Sequence, residues 1–251
     1  MKLKNILLSI LIVILLFAGG FYYYKLTNKN IVPTPANFLV KIDQNAQTVP
    51  DKNNDSNVSS PKNELPKSVQ ISMPFLSQAP FEIWDPLHED ACEEASLIMV
   101  KYFLDKKNIP SLEIADKEIK DLVGYQEKNN YGISISLEDL NKIANDYYKM
   151  TTGIVKNNIT IDDIKMELTL GHPVIVPAAG KMLANPNFTN GGPVYHMLVI
   201  TGYDENGFIT NDPGTRKGQN FRYSFDNLFN AIHDFDANNI LNGQKSILVF
   251  E

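Results

Sequence analysis

Cys92 is the only cysteine of the 251-residue chain, and its position favours nucleophilic chemistry. It lies at the start of the segment ACEEASLIMVKYF, where apolar residues recur at helical spacing, so a helix is predicted to begin beside it. The free N–H groups and the macrodipole of a helix N-terminus stabilise a thiolate, which is the reactive form of cysteine. Position alone leaves two interpretations open, a nucleophile or a small buried core residue.

A thiolate nucleophile needs a base, and the base needs a group that orients it. His196 lies at the start of a predicted strand, and Asp212 lies sixteen residues later, at the end of the next one. The Asn206-Gly207 pair between them predicts a hairpin, which would set the imidazole beside the carboxylate. The alternative for Asp212 is an ordinary turn residue before a Pro-Gly pair.

The elements that would position these residues fall into two groups, helices first and strands second. Ser111, Ser136 and Thr160 are predicted helix N-caps, Asp90 with Glu93 resembles a capping box, and a glycine ends the second helix. The predicted helices cover residues 90–107, 111–123, 136–148, 160–170 and 224–232.

Short segments rich in β-branched and aromatic residues predict strands in the second half of the chain. They cover residues 173–178, 194–204, 207–212 and 246–250, and a strand-like start covers 69–75. Helices followed by meandering strands indicate an α+β fold in which helices pack on an antiparallel sheet.

The charge of the chain is divided unevenly. Residues 1–69 carry 8 basic and 4 acidic side chains, net +4, and residues 70–251 carry 15 and 25, net −10, which together give −6. Ile6–Tyr24 is an uncharged run of 19 residues, which nearly spans a bilayer core as a helix. We therefore predict an anchor or signal segment over residues 1–24, a flexible Asn/Pro/Ser/Lys-rich linker over 25–68 and a single domain over 69–251.

Lys2 and Lys4 favour a cytoplasmic N-terminus under the positive-inside rule, so the domain is expected outside the cell, attached to the membrane by a single pass. A cleaved signal peptide is the alternative for this segment, and the mature protein would then be secreted. Under both interpretations, the domain is exported from the cytoplasm.

Composition also excludes several classes of protein. One cysteine excludes a disulfide framework and a multi-cysteine zinc site, and the acidic domain lacks the basic face of a nucleic-acid binder. His88 lies four residues before Cys92, but a helix that begins at Cys92 would leave His88 outside it, which disfavours a metal pair. No metal and no cofactor are therefore predicted. The substrate-cleft candidates are Trp84, His88 and Tyr195, each with a plain packing or loop role as the alternative.

Four segments, taken in order, carry a family resemblance: MPFLSQAP, ACEEASLIMVKYF, GHPVIVPA and YHMLVITGYDENGFITNDPG. They resemble the bacteriocin-processing cysteine peptidases of family C39 and their standalone relatives, which have a papain-like fold. The resemblance implies Cys92 as nucleophile, His196 as general base and acid, and Asp212 as the group that orients the histidine. It also implies that the Gln78 side chain and the Cys92 backbone N–H form the oxyanion hole.

The sequence departs from the family pattern in two places. Glu93 and Glu94 follow the cysteine where the family commonly has Gly or Gly-Pro, and their charge should raise the pKa of the thiol. The spacing from Gln78 to Cys92 is longer than in transporter-linked members. No phosphate-binding loop is present, so a complete ABC exporter is not expected.

The leading expectation is a membrane-tethered, extracytoplasmic cysteine peptidase that acts on a peptide or protein. One alternative is a non-catalytic papain-like module that binds peptide or glycan. The other is a cell-wall amidase of the NlpC type, with similar Cys–His chemistry on peptidoglycan.

Overall fold

The computed structural model describes residues 41–42 and 64–251 of the chain. The predicted anchor, residues 1–24, and nearly all of the predicted linker lie outside the described residues. Within the part that is described, no helix is both long enough and apolar enough to cross a membrane.

Six α-helices are present in the described residues. They are α1 (Pro86–Glu89), α2 (Cys92–Leu104), α3 (Leu112–Lys128), α4 (Leu137–Tyr148), α5 (Ile161–Thr169) and α6 (Phe225–Ala231). Of these, α1 was not predicted.

Three predicted helix caps are confirmed. The Ser111 and Ser136 side chains accept hydrogen bonds from backbone N–H groups in the first turns of α3 and α4. Thr160 and Asp163 form a complete capping box at the start of α5. These contacts depend on residues three positions apart, so the local sequence is sufficient to specify them.

Two predictions about helix ends are wrong. The N-cap of α2 is Ala91, without a side-chain cap, because the Glu93 carboxylate contacts Cys92 and Ile135 instead. Gly124 does not end α3, which continues to Lys128. A glycine inside a helix costs only about 1 kcal/mol, and the turn beyond it packs the buried side chain of Gln126.

The strands form one antiparallel sheet, as predicted. They are β1 (Lys41–Ile42), β2 (Val69–Gln70), β3 (Gly153–Asn157), β4 (Val174–Ala179), β5 (Tyr195–Asp204), β6 (Gly207–Asn211), β7 (Phe221–Tyr223) and β8 (Ser246–Phe250). The order is β1-β2-β5-β4-β8-β3, and β6 pairs with both β5 and β7. The sequence did not predict β3 and β7.

Two residues of the predicted linker belong to this sheet. Lys41 pairs with Gln70 and Ile42 pairs with Val69 in β2. The predicted boundary between linker and domain is otherwise not tested by the described residues and stays a prediction.

The sheet has helices on both faces, and the alternating side chains of β5 enter two cores. Tyr195, Met197 and Val199 pack with α2, α3 and α4, whereas Leu198 and Ile200 pack with α5 and α6. Helices on both faces extend the predicted arrangement, in which only the leading helices were expected to cover the sheet. The result places the first turn of α2 against the start of β5.

Candidate active site

Cys92 is the first residue of α2 and is 4% exposed. Its Sγ donates a hydrogen bond to Glu93 Oε2 at 2.9 Å. The hydrophobic core that surrounds it includes the β5 side chains Tyr195 and Met197. The helix N-terminus predicted for the thiol is thus present, but the first hydrogen-bond partner of the thiol is a carboxylate.

The surroundings of Cys92 favour the neutral thiol. Burial raises the pKa of Cys92 well above its ordinary value, and the charge and hydrogen bond of Glu93 and the charge of Glu94 raise it further. The backbone N–H of Met197 acts in the opposite direction. The two glutamates therefore raise the pKa of Cys92, as the sequence predicts.

Glu93 is itself buried and links the thiol to a neighbouring loop. Its Oε1 accepts a hydrogen bond from the Ile135 N–H at 3.4 Å, while Oε2 faces Cys92. Burial raises the pKa of Glu93 to about 7, and the hydrogen bonds from Cys92 and Ile135 limit the rise. Glu93 can therefore exchange a proton with its surroundings near neutral pH.

His196 and Asp212 lie side by side, as the hairpin argument predicts. His196 is the second residue of β5, Asp212 directly follows β6, and Nε2 lies 2.8 Å from Asp212 Oδ1. Both side chains are buried. An ionised carboxylate only accepts, so Nε2 carries the proton and Nδ1 has the lone pair that can take a proton from a thiol.

Asp212 is held by a buried network that the sequence did not reveal. Tyr223 Oη donates to Oδ2 at 2.6 Å, Asn185 Nδ2 donates to the same atom at 3.1 Å, and the Gly214 N–H donates to Oδ1 at 3.0 Å. Burial alone would raise the pKa of Asp212, but the charge and hydrogen bond of His196 and the hydrogen bonds from Tyr223 and Gly214 lower it below the ordinary value. No motif marks Asn185 or Tyr223, because only the fold brings them to Asp212.

Gln78 is buried beside α1, and its amide is engaged. Nε2 donates to the carbonyl oxygens of His88 and Glu89, at 2.8 and 2.9 Å. Oε1 has no hydrogen-bond partner among the described residues. Both amide hydrogens are therefore used within the fold, and the role of Gln78 as an oxyanion donor stays a prediction that requires the amide to reorient.

The three cleft candidates differ in exposure. Trp84 is 42% exposed. His88 is buried, with its ring nitrogens 2.7 Å from Asp85 Oδ1 and 2.9 Å from Asp116 Oδ1. Tyr195 is buried and donates to the Ile135 carbonyl oxygen at 2.9 Å. Only Trp84 thus offers a ring to solvent, and the cleft roles stay predictions.

One group of potential metal ligands occurs among the described residues, away from Cys92. Glu167, His172 and Glu251 have ligand atoms within 4.8 Å of one another. Lys156 Nζ contacts both carboxylates, at 2.7 Å from Glu167 and 3.4 Å from Glu251. The lysine ammonium therefore already supplies the positive charge that this group needs.

Comparison with known proteins agrees with the motifs. Residues 70–237, well over half of the chain, match the model of the Peptidase_C39 like family. A solved structure described as a C39-like peptidase from Bacillus anthracis is 16% identical and aligns over 71% of this chain and 94% of its own, with a TM-score of 0.47. No curated protein matches the chain.

Proposed function

Because the chain belongs to the C39-like peptidase family, we propose that it is a cysteine peptidase that uses Cys92, His196 and Asp212. The observation that carries the proposal is the buried 2.8 Å contact of His196 with Asp212, on the strand that packs against the Cys92 end of α2. A histidine oriented by a polar partner beside a helix-terminal cysteine is the arrangement that thiol peptidases use, and here the partner is a carboxylate.

The proposed reaction has two halves. Nδ1 of His196 takes the thiol proton, and the thiolate attacks the peptide carbonyl carbon to form a tetrahedral intermediate. The C–N bond then breaks, His196 returns the proton to the leaving amine, and a thioester to Cys92 remains. Water, deprotonated by His196, hydrolyses the thioester and restores the thiol. The Cys92 backbone N–H, with Gln78 if its amide turns, would stabilise the oxyanion.

The contact between Cys92 and Glu93 sets a condition on the first step. The thiol must leave Glu93 Oε2 before its proton can reach Nδ1 of His196. Substrate that enters the site, or protonation of Glu93, would release this contact.

We also propose that the domain works outside the cell, tethered by residues 1–24. Support comes from the uncharged run Ile6–Tyr24 and from the basic residues that precede it. Fractionation of cells that express the full chain, with protease added to intact cells, tests this placement. Protection of the domain from the protease would contradict it.

The test of activity compares the wild-type chain with Cys92→Ser and His196→Ala, each at full length in a mild detergent. Peptide sets and isolated peptidoglycan serve as substrates, which separates a peptidase from an amidase. We expect peptide hydrolysis to fall by at least about 100-fold in both variants. His233→Ala is the matched control, because its ring bonds the Gly243 carbonyl and lies outside this network.

A non-catalytic peptide- or glycan-binding module is the second candidate. Two observations favour it, the raised pKa of Cys92 and the engaged amide of Gln78. A wild-type chain that hydrolyses neither substrate would support this candidate and overturn the peptidase.

A further inference from the structure

A cavity of about 280 Å³ lies on the helical side of the molecule, between α1, α2, α3 and residues 131–133. We call it the helical pocket. Its apolar walls include Leu87, Val123, Tyr131 and Ile133. Cys92 does not line it, and Glu94, which does, lies two positions along α2 and therefore about 200° around the helix from Cys92. The pocket is thus separate from the candidate active site.

Two buried polar side chains reach this pocket without hydrogen-bond partners. Glu94 is 2% exposed and Gln126 is 3% exposed, and both line the pocket. Neither Glu94 Oε2 nor Gln126 Nε2 has a partner within hydrogen-bond distance among the described residues. The Gln126 side chain nevertheless acts on the Glu94 carboxylate as a hydrogen-bond donor that lowers its pKa, although no contact of Gln126 Nε2 or Glu94 Oε2 with the described residues meets ordinary hydrogen-bond geometry. The pocket therefore presents an acceptor and a donor that lie next to each other and that a ligand could bind in better geometry.

The charge of the pocket has one sign. Asp90, Glu94 and Glu127 line it, and no lysine, arginine or histidine does so among the described residues. Burial and the charge of Glu93 raise the pKa of Glu94 well above its ordinary value, and Asp90 adds to the effect. A bound cation would favour the ionised form of Glu94 and would offset the charge of Asp90 and Glu127.

We propose that the helical pocket binds the amino-terminal residue of a peptide. The α-ammonium group would donate to Glu94 Oε2, and the first carbonyl oxygen would accept from Gln126 Nε2. The side chain of that residue would lie against the apolar walls. A volume near the lower end of ligand pockets, about 300 Å³, suits one residue and not a longer segment.

Other ligands fit this pattern less well. A lysine or arginine side chain brings positive charge but has no acceptor for Gln126. An asparagine or glutamine side chain offers donor and acceptor but no charge for the three carboxylates. A peptide amino terminus has both an ammonium group and an adjacent carbonyl. The inference does not depend on peptidase activity, so the two can fail separately.

The test measures binding by calorimetry on the full-length chain in mild detergent, with Cys92→Ser to prevent hydrolysis. The probes are Leu-Gly-Gly amide, the same peptide acetylated at its amino terminus, and lysine amide acetylated at its α-nitrogen, which keeps the side-chain ammonium free. We expect the free peptide to bind at least about tenfold more tightly than either acetylated probe. Equal affinity for the free and acetylated peptides would overturn the proposal. Tighter binding of the α-acetylated lysine amide would also overturn it and would indicate a site for a lysine side chain.

Two variants connect the binding to the unpaired atoms. Glu94→Gln and Gln126→Leu should each weaken binding of the free peptide by about tenfold or more. Glu205→Gln, in the exposed turn between β5 and β6, is the matched control. The melting temperature of Glu94→Gln should not fall, because the change replaces a buried ionisable carboxyl group by a neutral amide of the same size. Unchanged binding in both pocket variants would exclude this site.

Discussion

At the scale of single residues, the contact between Cys92 and Glu93 governs how reactive the candidate nucleophile is. The position of the thiol at a helix N-terminus favours a thiolate, but burial and two neighbouring glutamates oppose it. The neutral thiol is therefore the favoured form of Cys92. The reactivity of Cys92 therefore depends on the ionisation of Glu93, because the ionised carboxylate holds the thiol proton.

Glu93→Gln should make Cys92 more reactive, because the change removes a negative charge beside the thiol. We expect iodoacetamide to alkylate the variant roughly three- to tenfold faster at pH 7.5, with a pH midpoint lower than in the wild type. Labelling reports on one site, since the chain has a single cysteine. Glu205→Gln should react like the wild type, and an unchanged midpoint in Glu93→Gln would contradict the argument.

Glu93 should also make stability depend on pH. Its folded-state pKa of about 7 exceeds the ordinary value of 4.5, so the folded state retains a proton that the unfolded state has lost. Its contribution to stability is full below about pH 4.5 and is lost as pH rises through 7. Between pH 5 and 8, Glu93→Gln should gain on the order of 1–3 kcal/mol relative to the wild type. Urea unfolding of the variant and the wild type at pH 5 and at pH 8 measures this gain. The same difference in unfolding free energy at both pH values would contradict the prediction.

At the scale of elements, the β5–β6 hairpin and the loop after it hold the base and its orienting group. The register pairs Asp204 with Gly207 across a two-residue turn, which brings the start of β5 near the end of β6. Phe188 packs edge-on against the His196 ring, with centroids 5.3 Å apart. The ring is thus confined by Asp212 on one side and by Phe188 and Gly214 on others.

Gly214→Ala should damage the site more than the fold. A Cβ there would lie 2.8 Å from His196 Cε1 and 2.9 Å from Phe188 Cε1, so the imidazole would have to move. We expect peptide hydrolysis to fall at least about tenfold, since catalysis tolerates little misplacement. Gly124→Ala is the control: a Cβ there meets nothing within 4 Å, and the change should stabilise α3 by about 1 kcal/mol with activity unchanged. Full activity in Gly214→Ala would argue against His196 as the base.

Tyr223→Phe should lower both stability and activity, because it removes the hydroxyl that donates to Asp212 Oδ2. The expected cost is about 1–3 kcal/mol for a charged hydrogen bond. Tyr148→Phe is a matched control, since its hydroxyl donates to the Glu118 carboxylate at 2.9 Å, away from the site. Thermal unfolding should show comparable losses in both variants, with hydrolysis reduced only in Tyr223→Phe. Equal activity in the two would remove Tyr223 from the site.

At the scale of the whole molecule, a few polar contacts join the helical part to the sheet. Ser96 Oγ in α2 donates to the Met197 carbonyl oxygen at 3.2 Å, and Asp234 Oδ1 accepts from the Leu137 N–H at the start of α4 at 3.0 Å. Together with the shared core, the Ser96 contact crosses the junction between α2, which carries Cys92, and β5, which carries His196. The spacing of the candidate nucleophile and base thus depends on the packing of helices against the sheet.

Asp234→Ala should destabilise the whole domain and not α4 alone. It removes an acceptor at a helix N-terminus, which costs about 1–2 kcal/mol. Far-UV circular dichroism and Trp84 fluorescence should report one unfolding transition, shifted equally. Asp236→Ala is the control, because among the described residues this carboxylate accepts hydrogen bonds from the nearby N–H groups of Asn238 and Asn239. Separate transitions by the two probes would indicate that the halves unfold independently.

Features that depend on neighbours in the chain could be predicted from the sequence. The caps at Ser136 and Thr160, the hairpin near Asn206 and the helix that begins at Cys92 each require only residues a few positions apart. The antiparallel α+β architecture followed from the order of these elements. The nearness of His196 to Asp212 followed as well, since a hairpin sets its two strands side by side.

Features that depend on packing were decided by the tertiary structure alone. Asn185 reaches Asp212 from 27 positions away and Tyr223 from 11, the latter on a strand that the sequence did not predict, and no spacing rule predicts such contacts. The Glu93 side chain was wrongly expected to join Asp90 in a capping box, because Ile135, 42 positions away, donates its N–H to the carboxylate. The sequence by itself determined which residues could do the chemistry. The packing determined their protonation, because burial and distant partners set the pKa of a side chain.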